Sequence, residues 1–555
     1  MPKAKTGRAA PGRHNSPAPD LDAAIRLGTE AGALSERGER DRAQELYRQA
    51  IRIDPHLPLA WLGLGMEFLE KNDYAQGHRC LLRAVAEADR KLREFPADRS
   101  THMARSLAQK ALICPAEAVR STRHALALAP DRSTHGSLLF QMNFLPETTP
   151  ETLFAEACRW NDLYAAPLAQ AARPHPNTPD PGRRLRIGYV SPDLYAHTVA
   201  RYLLPVFQFH DRAQFAVTVY SVGRKTDSVT DSLRAVAERF VPCPESGAAL
   251  EERIRADEID ILVDLAGHTM PVEFFLVFAR KPAPIQVSWM GVLATTGLRT
   301  MDYYLGNADM PCPGTEHCFS ETVYRLPRAP YCFRIPVDVP VAPAPCLERG
   351  YVTFGAFLNP AKIGPGVVQV WAAILRNVPH SRILFKYQAM DTELMRDRFQ
   401  GWFSKEGIAR ERVQFQDRSL LSDYLASYGQ MDVALDSFPY QGGSTTLDTL
   451  WMGVPIVALA GRTAVQSSSV WILKSAGLAD TMVVDSPQQY VKAAEHLAGI
   501  VGQLPDLRHN IRQAMKSSPA MDEPGFTREL EAAYRDMWRT WCGKQAPISA
   551  PPAPG

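Results

Sequence analysis

The chain has 555 residues, enough for three or four domains of ordinary size, each with its own core. Its 62 basic and 60 acidic residues leave a formal net charge of +2, which gives no whole-chain reason to expect nucleic acid or an anionic membrane as a partner. There is no apolar run of roughly 18 residues or more, and the basic N-terminus lacks an apolar segment, so membrane insertion and secretion are not expected and a cytoplasmic protein is. The nine cysteines show no C-x-x-C spacing and read as small core residues or free thiols.

Residues 1–20 and 544–555 are rich in Pro, Ala and small polar residues with little to bury, and are expected to be disordered tails. Between them, 21–170 reads as helical and repetitive. Leu27, Leu34, Ala43, Tyr47 and Ala50 recur 34 residues later as Trp61, Phe68, Gly77, Leu81 and Ala84, with Gly65 at a close contact and Asp73 at a turn. That period is the mark of a tetratricopeptide-repeat solenoid. Ala118, Ala125 and Pro130 suggest a third, less regular unit, whose face would be covered through Leu138 to Leu168.

A proline-rich linker over 171–184 marks a boundary. Beyond it, short apolar runs alternate with helical stretches. Strands are expected at Arg186–Val190, Phe215–Tyr220, Ile259–Leu265 and Ile285–Met290, with helices at Val199–Gln208, Ser232–Phe240 and Ala248–Asp257. A second set gives strands near Val352–Phe357, Arg382–Lys386, Val413–Phe415, Met431–Asp436, Ile456–Leu459 and Met482–Val484. Such alternation implies parallel sheets with right-handed crossovers, placed here in domains 185–345 and 346–543.

Within the second set, Gly442 and Gly443 lie on the turn between the strand Met431–Asp436 and a helix opening near Thr446. Glycines let backbone approach a ligand, Ser444, Thr445 and Thr446 add hydroxyls, and the free N–H groups of a helix start attract an anion such as a diphosphate. The lysine that would follow the last glycine of a P-loop is absent, which disfavours a nucleotide triphosphatase.

The segment Leu435-Asp-Ser-Phe-Pro-Tyr-Gln-Gly-Gly-Ser-Thr-Thr-Leu-Asp-Thr-Leu-Trp-Met-Gly-Val-Pro455 resembles the donor-binding segment of the O-GlcNAc transferase, or SPINDLY-like, family of nucleotide-sugar glycosyltransferases. Leu185–His197, Asp260–Thr269 and Phe354–Ile363 resemble the same family in the same order. The resemblance implies a GT-B fold, two Rossmann-like domains with the donor in the cleft between them, preceded by the all-α repeat solenoid, and a last helix near Phe526–Cys542 that crosses back to the first domain. It implies an inverting, metal-independent transferase with no cofactor, using a nucleotide sugar such as UDP-GlcNAc, whose polypeptide acceptor is recruited by the repeats. A repeat scaffold with an inactive catalytic half, or the same chemistry with a CMP-nonulosonate donor, stays open.

Transfer of a sugar needs charge stabilisation on the leaving diphosphate, a grip on the nucleoside and help in deprotonating the acceptor. The resemblance aligns Lys362 with the lysine that contacts the diphosphate, as a point charge in place of a metal. It puts Asn359 near the diphosphate, Tyr424 beside the base and Asp448 on the ribose hydroxyls, although a carboxylate there also suits the helix dipole. His197, on the turn after the first strand, faces the expected cleft as base or phosphate ligand. His268 is expected as its second histidine. Gly291-Val292-Leu293-Ala294-Thr295 and Gln466-Ser467-Ser468 depart from the family pattern near the sugar, which leaves its identity open.

Overall fold

The structure is a computed structural model and describes residues 20–545; the tails expected at 1–20 and 544–555 fall outside it for 1–19 and 546–555, while Lys544 and Gln545 still belong to the last helix. The chain forms two compact units, Met1–Leu112 and Ile113–Gly555. No helix among the described residues is long and apolar enough to cross a membrane.

The first unit is built of helices Leu21–Glu36, Arg40–Ile53, Pro58–Glu70, Tyr74–Glu94 and Arg99–Ala111. Asp20, Asp73 and Asp98 cap three of them by accepting the N–H three residues on, which satisfies donors that a helix start leaves free. A Cβ at Gly65 would lie 2.9 Å from Leu81 Cγ, and one at Gly77 2.5 Å from Leu69 Cδ2, so these glycines permit the close helix crossing read from the repeat. Ala24, Leu34, Ala43, Tyr47 and Leu64 form its core.

In the second unit the helices Pro115–Leu128, Arg132–Met142 and Pro150–Trp160 come before the sheets. Leu138, Met142, Leu153 and Trp160 share a core with Leu262, Phe275 and Leu298 of the first α/β domain. The helical span 21–170 therefore divides at Leu112, because the apolar face of its later helices is spent on a sheet.

The first sheet comprises β1 (Leu185–Ser191), β2 (Phe215–Ser221), β3 (Arg239–Val241), β4 (Ile261–Asp264), β5 (Ile285–Ser288), β6 (Tyr303–Gly306) and β7 (Thr322–Arg325). Its order is β3-β2-β1-β4-β5-β6-β7, all parallel, with Tyr189 level with Val219 and Val263. The sequence reading missed β3, β6 and β7. The helix expected to run to Phe240 stops at Val236, and three-residue β3 is too short to show a period. Between β6 and β7 only a 3₁₀ turn, Glu316–Cys318, occurs, so the alternation signal vanishes there.

The second sheet comprises β8 (Thr353–Ala356), β9 (Arg382–Lys386), β10 (Val413–Gln416), β11 (Val433–Leu435), β12 (Ile456–Leu459) and β13 (Val483–Val484), in parallel order β10-β9-β8-β11-β12-β13. This is the expected GT-B pair of Rossmann-like domains. Strand order reverses between β1 and β4 and between β8 and β11, where ligands of such sheets bind.

One core joins the facing sides of both domains, including Tyr189, Trp289, Tyr331, Leu447 and Trp471. The last helix, Glu523–Gln545, closes it. Phe526 stacks on Trp289 at 6.0 Å, Tyr534 Oη lies 3.2 Å from Tyr189 Oη, and Trp538 Nε1 donates to Asp180 O at 2.8 Å.

Candidate functional site

At the two switch points the domains face each other across a cavity of about 220 Å³. Its first wall comes from the loop after β1 and the helix Thr198–Phe209. That loop is pinned where Asp227 accepts from Ala196 N at 2.8 Å and Thr230 Oγ1 donates to Leu194 O at 2.7 Å. His197 caps the helix, its Nδ1 accepting from Val199 N at 3.4 Å, which leaves Nε2 as the N–H of the ring. Its imidazole is exposed on the cavity.

The opposite wall comes from β8 and β11. Asn359 accepts from Ala361 N at 3.0 Å and so caps the 3₁₀ turn Pro360–Lys362. The Lys362 ammonium lies 4.0 Å over the Tyr440 ring and donates to Gln441 O at 2.7 Å. Burial holds its pKa down to about 8, against the opposing pull of Asp436. Asp436, at the end of β11, is fully buried and pushed up to about 6 by desolvation, although it accepts from Ser469 Oγ at 2.6 Å, Gly442 N at 2.8 Å and Ser437 N at 2.9 Å.

These bonds fold the Gly442-Gly443 turn under the helix Ser444–Trp451. A Cβ at Gly442 would lie 2.4 Å from Thr446 Oγ1 and 2.7 Å from Thr445 Oγ1, so only glycine fits. The first N–H groups of this helix have no intrahelical acceptor, and Gly443 and Ser444 line the cavity. Thr446 Oγ1 bonds Ser469 Oγ at 2.8 Å, whereas the buried Thr445 Oγ1 has no partner among the described residues. A cation, a helix N-terminus and an imidazole thus converge on one space, an arrangement that binds an anion and can move a proton beside it.

His197, Lys362, Gly443 and Ser444 line the cavity, and Asn359, Gly442, Thr445 and Thr446 shape the turns behind it. Three further expected site residues neither line it nor shape those turns. Asp448 is buried, each carboxylate oxygen bonded to Arg201. Tyr424 packs against Phe357 and Tyr428, with its hydroxyl 2.7 Å from that of Tyr428. His268, expected as a second histidine of the cleft, sits instead between Trp160 and Phe275, each at 4.7 Å, with Nε2 2.8 Å from Thr296 O. The left-handed Gly267 (φ +55°) sends the chain after β4 toward the helical side, and burial lowers the imidazole pKa to about 4.

Sequence reasoning missed the roles of Asp436, Tyr440 and Gln441, although all three stand inside the quoted motif. It also missed Tyr202, Tyr331 and Trp471, which complete the wall from three distant segments and carry no common pattern. Gly291, Leu293 and Ser468, from the two divergent segments, line the same space, as does Met290 just before the first. A groove of about 700 Å³ adjoins it, with Lys362 a common wall; Phe144, Leu145, Trp402, Phe438 and Arg398 also border it. Among the described residues, Glu151, His317 and Cys318 come close enough to hold a metal ion, but none lines the cavity and Glu151 is bonded to Arg462 at 2.7 Å.

The family model for glycosyl transferase family 41 matches residues 166–332 and 346–530, both α/β domains together. The chain belongs to glycosyl transferase family 41. A probable UDP-N-acetylglucosamine–peptide N-acetylglucosaminyltransferase SPINDLY of Petunia hybrida is 36% identical over 430 residues, 76% of this chain and 46% of that protein. A UDP-N-acetylglucosamine–peptide N-acetylglucosaminyltransferase of Caenorhabditis elegans is 21% identical over 536 residues, 74% of this chain and 46% of its own. The chain spans about half the length of these curated relatives. A solved mutant of Thermobaculum terrenum O-GlcNAc transferase matches with a TM-score of 0.85 and 34% identity, over 95% of this chain and 99% of that one. For a family 41 chain, the cavity between the sheets is where a sugar donor is to be sought.

Proposed function

We propose that this protein transfers a sugar from a nucleotide donor, UDP-N-acetylglucosamine by likeness to the relatives named above, to a polypeptide side chain. The observation that carries the reading is the convergence of the Lys362 ammonium and the free N–H groups of the Ser444 helix on the cavity that His197 faces from the other domain. The orphan Thr445 hydroxyl is a further donor beside that helix start. Charge developing on a leaving diphosphate would meet fixed positive ends without reorganisation, the arrangement that stabilises such transition states best. In this reading Lys362 and the helix N-terminus do the work that a divalent cation does elsewhere, and turnover is unchanged by a chelator.

The cavity alone is smaller than the roughly 300–1,000 Å³ usual for ligand sites, so a bound nucleotide sugar extends from it into the adjoining groove, the two spaces meeting at Lys362. The acceptor attacks opposite the diphosphate, which inverts the anomeric centre; the His197 Nε2–H bonds phosphate, or the ring gives up its Val199 bond, takes the other tautomer and accepts the proton at Nε2. Recruitment of the polypeptide falls to the repeats. The test is Lys362→Ala. Loss of one such charge costs a factor of about 10² to 10³ in turnover of UDP-GlcNAc. A variant that melts and turns over like the unaltered protein would remove Lys362 from the chemistry.

A further inference from the structure

Arg201 lies one turn into the helix that His197 caps, and Asp448 lies one turn into the helix whose start binds the anion in the reading above. The two meet fork to fork: Nη1 donates to Asp448 Oδ2 at 3.1 Å and Nη2 to Oδ1 at 2.7 Å, with both side chains largely buried. The guanidinium also lies 4.1 Å over the Phe333 ring, and its Nε donates to Arg334 O at 3.3 Å. Arg334 N returns a bond to Arg201 O at 3.0 Å, and the Arg334 side chain bonds Glu523 at the start of the last helix and Gln208 at the end of the first wall's helix. All five donors of such a planar fork can be directed at once, which a lysine cannot do.

The pair is therefore a strut between the two walls, and its ends stand one turn from the imidazole on one side and from the phosphate turn on the other. We propose that Arg201 is a positioning residue: through Asp448 it sets the separation of His197 from the anion-binding turn. This rests on the donor reading above. Arg201 has no place on the cavity wall, so its effect is on the geometry of the reacting groups and little on the affinity of the nucleotide, which the second domain holds. Misplacement of reacting groups by an ångström costs about 10²-fold in rate.

The experiment compares unaltered protein with Arg201→Ala and Arg201→Lys in two measurements: kcat for release of UDP from UDP-GlcNAc, and the Kd of UDP by calorimetry. Thermal melting confirms that each variant is folded. Arg201→Ala should lower kcat about 30- to 100-fold while Kd changes by less than about 3-fold, and Arg201→Lys, which keeps the charge but not the fork, should recover only part of kcat. Adding Asp448→Asn to Arg201→Ala should lower kcat little further, because one strut is already broken. A lower melting temperature with unchanged kcat would overturn the proposal and leave Arg201 a brace. A change in Kd that accounts for the whole loss would overturn it in favour of nucleoside binding, and tighter UDP binding in Arg201→Ala would make the pair an obstruction. Unaltered protein that binds no UDP would fail the donor reading itself, and the strut's catalytic role with it.

Discussion

The ionisation of Lys362 governs what the cavity can hold. Burial lowers its pKa to about 8, so near pH 8 half the molecules present an ammonium and half a neutral amine. A bound diphosphate favours the ammonium and raises that pKa, hence binding takes up a proton above pH 8 and affinity falls as pH rises through it. Asp436, titrating near 6, is already ionised in this range, and Tyr440, pushed up to about 12, is still neutral. We expect the Kd of UDP to be flat between pH 7 and 7.5 and to rise toward tenfold per pH unit above 8; calorimetry across pH 7–9.5 measures it. Lys362→Arg, charged throughout, should abolish the slope. Gly442→Ala is the second test at this scale, since its methyl group would overlap the hydroxyls of Thr445 and Thr446. We expect about 1–3 kcal/mol of destabilisation in urea together with lost UDP binding; a variant that binds UDP normally would show that the turn has slack.

At the scale of elements, what was legible in the sequence was what is local. The Gly442-Gly443 pair alone marks little more than a turn before a helix, and it reads as an anion site because the motif around it resembles a donor-binding segment; all six strands of the second sheet alternate with helices or turns that mark their ends. His268, following a strand, reads as facing a cleft, whereas the chain turns there through the left-handed Gly267 and the ring is seated between Trp160 and Phe275. The partnership of Arg201 with Asp448 spans 247 residues, and no spacing rule connects them. The last helix was expected from the resemblance, but its anchors were not. Trp538 is fully buried, stacks beside Trp541 at 4.7 Å and lies under the Arg183 guanidinium at 4.5 Å. Trp538→Ala should cost about 3–5 kcal/mol of stability, read as a lower urea midpoint; a loss under 1 kcal/mol would mean that the helix closes nothing.

For the molecule as a whole, the second unit holds both sheets, the cavity and its own cores. A chain that begins at Ile113 is expected to melt cooperatively and to release UDP from UDP-GlcNAc at about the rate of the full chain, while a polypeptide acceptor requires a higher concentration. Equal use of the acceptor by both chains would reject recruitment by the repeats, and loss of donor hydrolysis would assign them a structural part.

The return of the last helix to the first domain also orders events during synthesis. The carbonyl of Asp180 waits for an indole made 358 residues later, and the buried His210 waits for Glu531, which receives it at 2.9 Å. Until those residues leave the ribosome, the seat of Trp289 and Tyr189 in the first domain is without the helix that covers it, so completion of that domain waits on the last helix. A nascent chain halted before Glu523 would have every residue of the cavity and no finished wall to hold half of them.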